Sequence, residues 1–97
     1  KYRNEESEFE SYFLSFSCGT RLEIMSIPGL VNDFGHPKRI GITHFSFQVG
    51  SKESVDGLTT IIRDAGFLVY SEPRFTGDGY YESGILDPDG NRIEIMA

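Results

Sequence analysis

Two glutamates and a histidine carry the chemistry that this sequence suggests. Glu23 and Glu94 sit centrally in Gly19-Thr20-Arg21-Leu22-Glu23-Ile24-Met25 and Gly90-Asn91-Arg92-Ile93-Glu94-Ile95-Met96, identical at five of seven positions and 71 positions apart. His44 falls between them in Ile42-Thr43-His44-Phe45-Ser46-Phe47. One imidazole nitrogen and two carboxylates are donors suited to a divalent cation such as nickel, zinc, manganese or iron. Each group also has a plainer alternative: a solvated carboxylate beside Arg21 or Arg92, or a histidine on a polar sheet face. Arg74, in Pro73-Arg74-Phe75-Thr76-Gly77-Asp78-Gly79, is the candidate substrate-gripping cation at a rim, its alternative being an exposed loop charge.

For these groups to meet, the elements bearing them must aim them together. Residues 51–66 place Val55, Leu58, Ile62 and Ala65 at helical spacing, with Ser51 as N-cap, Glu53 in the first turn and Gly66 as the stop. Residues 42–49 alternate as a strand: Thr43, Phe45, Phe47 and Val49 share one face, and Ile42, His44, Ser46 and Gln48 the other. Strands are also expected over residues 67–71, 80–86 and 92–96, separated by Gly77-Asp78-Gly79 and Asp87-Pro88-Asp89-Gly90 turns. Tyr80 and Tyr81 then lie on opposite faces. Residues 9–16 and 21–25 read as an earlier hairpin, and upstream of each seven-residue copy sits an aromatic-Glu-Ser run, Phe9-Glu10-Ser11 or Tyr81-Glu82-Ser83. In both last strands alternation turns Arg, Glu and Met away from the apolar pair. With a helix on the apolar side, Glu23, His44 and Glu94 all face the other.

The repeat defines the organisation. The expected layout is an incomplete first module over residues 1–26, a Pro- and Gly-rich linker over 27–41 and a complete strand-helix-three-strand module over 42–97. Projecting His44 back by the repeat interval falls before Lys1, so the first module lacks its opening strand and helix. A start at Lys1 is also compatible with a mature terminus or a tag scar, and the repeat favours a fragment.

Composition narrows the function classes. The chain of 97 residues has net charge -6 and scattered basic residues, which disfavours nucleic-acid binding. No apolar run approaches the roughly 20 residues of a membrane span, so a cytoplasmic protein is expected. The single Cys18 provides neither a disulfide nor a thiolate cage.

The His44 strand, the helix, Gly79-Tyr80-Tyr81-Glu82-Ser83 and the Asp87-Pro88-Asp89-Gly90-Asn91-Arg92-Ile93-Glu94 ending together resemble the vicinal oxygen chelate superfamily of glyoxalase I, bleomycin resistance proteins and extradiol dioxygenases. The resemblance implies an α+β fold in which paired βαβββ modules form a curved mixed sheet, a cup holding a metal. It makes Glu23, His44 and Glu94 metal ligands, the fourth belonging to the absent opening strand. Dioxygenases leave the Glu23 position without a metal role and methylmalonyl-CoA epimerases typically carry an amide there, so two module-end carboxylates look more like glyoxalase I. The implied activity is that of a lactoylglutathione lyase-like enzyme: a metal polarises a hemithioacetal, and Glu94 or Glu23 moves a proton between adjacent carbons through an enediolate. A ligand-sequestering protein of the bleomycin-resistance type, without turnover, is the alternative. A small-molecule substrate is implied in either case. A sheet missing a strand exposes an edge, and many relatives dimerise, so a homodimer is expected.

Overall fold

The computed structural model describes every residue except Phe34, His36 and Pro37, so the Pro37 part of the expected linker lies outside the described residues. The chain divides into two units, Lys1–Gly41 and Ile42–Ala97, and its class is α+β with strands dominant.

In the first unit β1 (Tyr2–Asn4), β2 (Phe9–Ser15) and β3 (Arg21–Ser26) form an antiparallel sheet in that order. The hairpin β2–β3 follows the expectation from sequence. Strand β1 does not, because its flanking charges disguise it: Arg3 pairs with Glu10 across the ladder and Tyr2 packs on Phe9 with ring centroids 5.9 Å apart. The Asn4 side chain accepts hydrogen bonds from the Glu6 and Ser7 amides, which turns the chain back. Tyr12 lies opposite Ile24 and Leu14 opposite Leu22, so the four share one face, and all are exposed. Among the described residues no helix belongs to this unit. Between its sheet and the second unit, the described residues of 27–41 form only the bridge of Val31 to Arg39.

The second unit runs β4 (Phe45–Gln48), α1 (Lys52–Asp64), β5 (Val69–Phe75), β6 (Tyr81–Leu86) and β7 (Arg92–Met96). Its sheet order is β4-β7-β6-β5, parallel between β4 and β7 and antiparallel elsewhere. Ser51 caps α1 by accepting from the Ser54 amide, and Gly66 takes φ +97, which glycine adopts without strain. The apolar stripe of α1 packs on β5, β6 and β7. Val55, Ile85 and Ile95 form its buried centre, flanked by Leu58, Ile62, Val69 and Ile93. Each fully buried aliphatic side chain contributes about 1.5–3 kcal/mol. Within this interface Thr59 and Ser83 satisfy each other at 2.6 Å, and Thr59 also donates to the Val55 carbonyl. The Asp87-Pro88-Asp89-Gly90-Asn91 turn is closed by the Asp87 carboxylate, which accepts from the Asp89 and Asn91 amides and from Asn91 Nδ2.

Three expectations need correction. Strand β4 is shorter than residues 42–49, because among the described residues its ladder is with β7 alone and starts at Phe45 opposite Ile93; His44 therefore precedes the strand. Strand β5 begins later and runs four residues further than 67–71, so Arg74 is a strand residue, not a loop residue. Pro73 is tolerated because β5 is an edge strand with register shifts around it. The two aromatic-Glu-Ser runs are not equivalent: Ser11 lies opposite Met25 as Glu82 lies opposite Met96, a slip of one residue that exchanges faces.

Candidate functional site

The site is built on the face of the second sheet turned away from α1. In an antiparallel ladder directly opposed residues share a face. Ser83 with Ile95 and Ile85 with Ile93 face the helix, so Glu82 with Met96, Gly84 with Glu94 and Leu86 with Arg92 face away. The parallel ladder places Ser46 beside Glu94. His44, two residues earlier, follows the same alternation.

His44 and Glu94 meet. Nε2 of His44 lies 3.2 Å from Oε1 of Glu94, and Ser46 Oγ donates to the same oxygen at 2.6 Å. Both side chains are largely shielded from water. Burial acts to raise the Glu94 pKa, but the hydrogen bonds from His44 and Ser46, with the charges of His44 and Arg74, outweigh it and hold the carboxyl below its ordinary value. Glu94 is thus an ionised, oriented carboxylate at neutral pH.

Glu82 behaves in the opposite way. It is only 8% exposed, and burial first, then the Glu94 charge, push its carboxyl up to about 7 despite the opposing pull of Arg74. Arg74 stands opposite Glu82 in the β5–β6 ladder, where Nη1 donates to the Glu82 carbonyl at 3.2 Å and Nη2 lies 3.7 Å from Oε1. Two carboxyls on one face are therefore pushed in opposite directions from their ordinary values by their surroundings. Glu82 was not singled out from the sequence, although the alternation of Tyr81, Ser83 and Ile85 toward the helix places it with Glu94.

Tyr70 joins this face without any sequence signal of its own. Its ring lies across Gly84, where a Cβ would fall 2.4 Å from Cζ, and the Arg92 guanidinium sits 5.5 Å from the ring centroid. Burial, then the Glu94 charge, raises its phenol pKa. Tyr81 belongs to the helix side, donating to Asp56 at 2.5 Å and packing on Phe75.

The structure thus brings His44 and Glu94 together and puts Arg74 on their face. Glu23 lies in the first unit, on β3 opposite Phe13, half-buried. An imidazole nitrogen next to a carboxylate oxygen fits a borderline divalent cation. Among the described residues no cluster of three or more His, Cys, Asp or Glu side chains forms a metal cage, so this pair is a partial donor set.

The Glyoxalase/Bleomycin resistance protein/Dioxygenase superfamily model matches residues 2–95. The uncharacterized protein YqjT of Bacillus subtilis (strain 168) is 34% identical over 65 residues, 64% of this chain and 51% of that protein. This chain therefore spans about half the length of the curated relative it matches. Hypothetical protein SA1046 from S. aureus is a structural neighbour with TM-score 0.54 and 28% identity, covering 60% of this chain and 50% of that one. A glyoxalase/bleomycin resistance protein/dioxygenase family enzyme from Burkholderia phytofirmans PsJN has TM-score 0.52 and 31% identity, covering 62% of this chain and 48% of its own.

Proposed function

This chain belongs to the Glyoxalase/Bleomycin resistance protein/Dioxygenase superfamily, and from that membership we propose a glyoxalase-like, metal-dependent enzyme acting on a small vicinal-oxygen substrate such as a hemithioacetal. The observation that carries the reading is the His44–Glu94 pair, an imidazole and an ionised carboxylate fixed 3.2 Å apart on one sheet face.

His44 and Glu94 would hold the metal, with Glu23 as a further ligand on the strength of its matching place in the repeat. Nickel, zinc, manganese and iron all suit such donors. When bound, the ion supplies Lewis acidity to two adjacent substrate oxygens. The protein's own part is orientation and proton movement. Ser46 fixes the Glu94 carboxylate, and Glu94 or Glu23 takes a proton from one carbon and returns it to its neighbour. The product class is that of a lactoylglutathione lyase-like reaction. We further propose a cytoplasmic homodimer, since Cys18 is free and β4 and β5 each leave one edge unpaired in their sheet.

Metal analysis of the purified full chain tests the reading. Near-stoichiometric nickel, zinc, manganese or iron, lost in Glu94→Ala and in His44→Ala, is expected. Hemithioacetal turnover should fall at least a hundredfold in Glu94→Ala and Glu23→Ala. Protein that takes up no metal, or whose uptake ignores Glu94→Ala, sinks the enzyme assignment and leaves the ligand-sequestering role. Turnover unchanged in both glutamate variants refutes their proposed roles.

A further inference from the structure

The two heptads share a ring stack as well as a sequence. Arg21 lies over the Phe13 ring, 4.7 Å from its centroid, and Arg92 lies 5.5 Å from the Tyr70 centroid. Arg21 and Arg92 hold the same place in the repeat, but the two rings do not. Phe13 projects from the residue directly opposite Glu23, whereas the residue directly opposite Glu94 is Gly84, and the ring on it comes from the neighbouring strand. An aromatic beside the heptad glutamate is thus common to both units. Only in the second does that aromatic carry a hydroxyl.

Two local features deliver the hydroxyl. Val69 opposes Ile85 and Ser71 opposes Gly84, so Tyr70 is the extra residue of a bulge in β5, a distortion that re-aims a side chain. Gly84 then leaves the space open: a Cβ there would fall 2.4 Å from Cζ of Tyr70 and 2.7 Å from its hydroxyl oxygen. The phenol end therefore takes the position of the side chain that residue 84 lacks. Directly opposed Cβ positions on one face are about 5 Å apart, which puts this hydroxyl beside Glu94. Among the described residues none hydrogen-bonds to it, and Tyr70 is 40% exposed. Burial and the Glu94 charge keep the phenol protonated, so it is a donor. A phenylalanine ring would also pack on Gly84 and stack with Arg92, as Phe13 does with Arg21, so packing does not account for the oxygen.

We infer that the Tyr70 hydroxyl touches the ligand of this site, donating a hydrogen bond to an oxygen of the molecule held at His44 and Glu94. The ligand class is a compound with two adjacent oxygens, one of them bearing negative charge, where a preset donor is worth most. The inference rests on the metal-site reading for what holds the ligand, and on Tyr70 and Gly84 for the added donor.

Acetohydroxamate presents such an oxygen pair and serves as the probe. It is titrated by calorimetry into the zinc-loaded full chain of the parent and of Tyr70→Phe, a variant that keeps the ring and changes no charge at neutral pH. About tenfold weaker binding is expected, the loss of one hydrogen bond to a charged acceptor, with the affinity for zinc itself the same in both proteins. In parallel, protein isotopically labelled at Cζ of tyrosine is followed by NMR, the Tyr70 signal being the one absent from Tyr70→Phe. Acetohydroxamate should shift that signal saturably. No binding to the zinc-loaded chain, equal affinity in the two proteins, or a Tyr70 signal that stays put as the probe binds overturns the inference and leaves the metal-site reading standing. Zinc binding weakened by Tyr70→Phe overturns it as well, since the hydroxyl would then act through Glu94. If the parent takes up no zinc, the metal-site reading has failed instead, and the same labelled signal decides the inference on the metal-free chain: a saturable acetohydroxamate shift upholds it, and no shift overturns it.

Discussion

Glu82 makes stability depend on pH in a direction opposite to that of an ordinary paired carboxylate. Its carboxyl is raised from 4.5 to about 7, by burial first and then by Glu94, so the folded chain keeps a proton that the unfolded chain releases between those values. The stabilising contribution of the protonated form is complete below the unfolded value and is lost as pH rises through the folded one. With those two values, the loss between pH 5 and pH 8 is about 2.5 kcal/mol. Glu82→Gln keeps the shape and cannot ionise, and the Arg74 hydrogen bond to the backbone carbonyl of residue 82 survives it. The chain has no tryptophan, so urea unfolding is best followed by far-UV circular dichroism. Relative to the parent, Glu82→Gln should gain about 2.5 kcal/mol on going from pH 5 to pH 8, other titrating groups cancelling in the comparison. Parallel pH profiles for the two proteins would refute the argument that burial, and not Arg74, governs this carboxyl.

Other substitutions probe the scaffold behind the site. Thr59→Val leaves the Ser83 hydroxyl buried without its partner and should cost about 1–3 kcal/mol in urea unfolding, most of it recovered by adding Ser83→Ala; an equal cost in the double variant would contradict the pairing. Gly84→Ala drives a Cβ into the Tyr70 ring and should cost about 1–3 kcal/mol, relieved when Tyr70→Ala is combined with it. Asp87→Ala removes the acceptor that closes the β6–β7 turn, so amide exchange at Asp89 and Asn91 should accelerate while the Val55 amide in α1 is unaffected.

The legible parts of the second unit were those governed by local periodicity. Ser51, the apolar stripe and Gly66 bound α1 because capping and helical spacing are sequence-local. The two-residue alternation of β6 and β7 likewise sends Ile93 and Ile95 to the helix and Glu94 away from it. The far half of β5 is not legible in the sequence, because Pro73 normally breaks a ladder and only its edge position makes it acceptable. Nothing local reports edge position. Strand β1 was hidden for a related reason: its charges sit on a short edge strand, where they are compatible with pairing.

The repeat itself was both the best guide and a source of error. Matching heptads make Glu23 and Glu94 look interchangeable, yet the residues across the ladder differ. Glu23 opposes Phe13, whereas Glu94 opposes Gly84, whose missing side chain admits the Tyr70 ring. Glu94 also gains Ser46 and His44, which fall beside it through the parallel β4–β7 pairing. Those neighbours come from segments nearly fifty residues away, and they, not the heptad, hold Glu94 ionised. The matching local sequence therefore fixes which face each glutamate occupies, while long-range pairing sets the surroundings of Glu94. A substitution that removes a β4 hydrogen bond without touching β7, such as Ser46→Val, should raise the Glu94 pKa and weaken metal uptake even though the Arg92-Ile93-Glu94-Ile95-Met96 strand is intact. Carboxylate titration by NMR reads the first effect directly, and a Glu94 pKa unmoved by Ser46→Val would show that the Ser46 hydrogen bond does not hold it down.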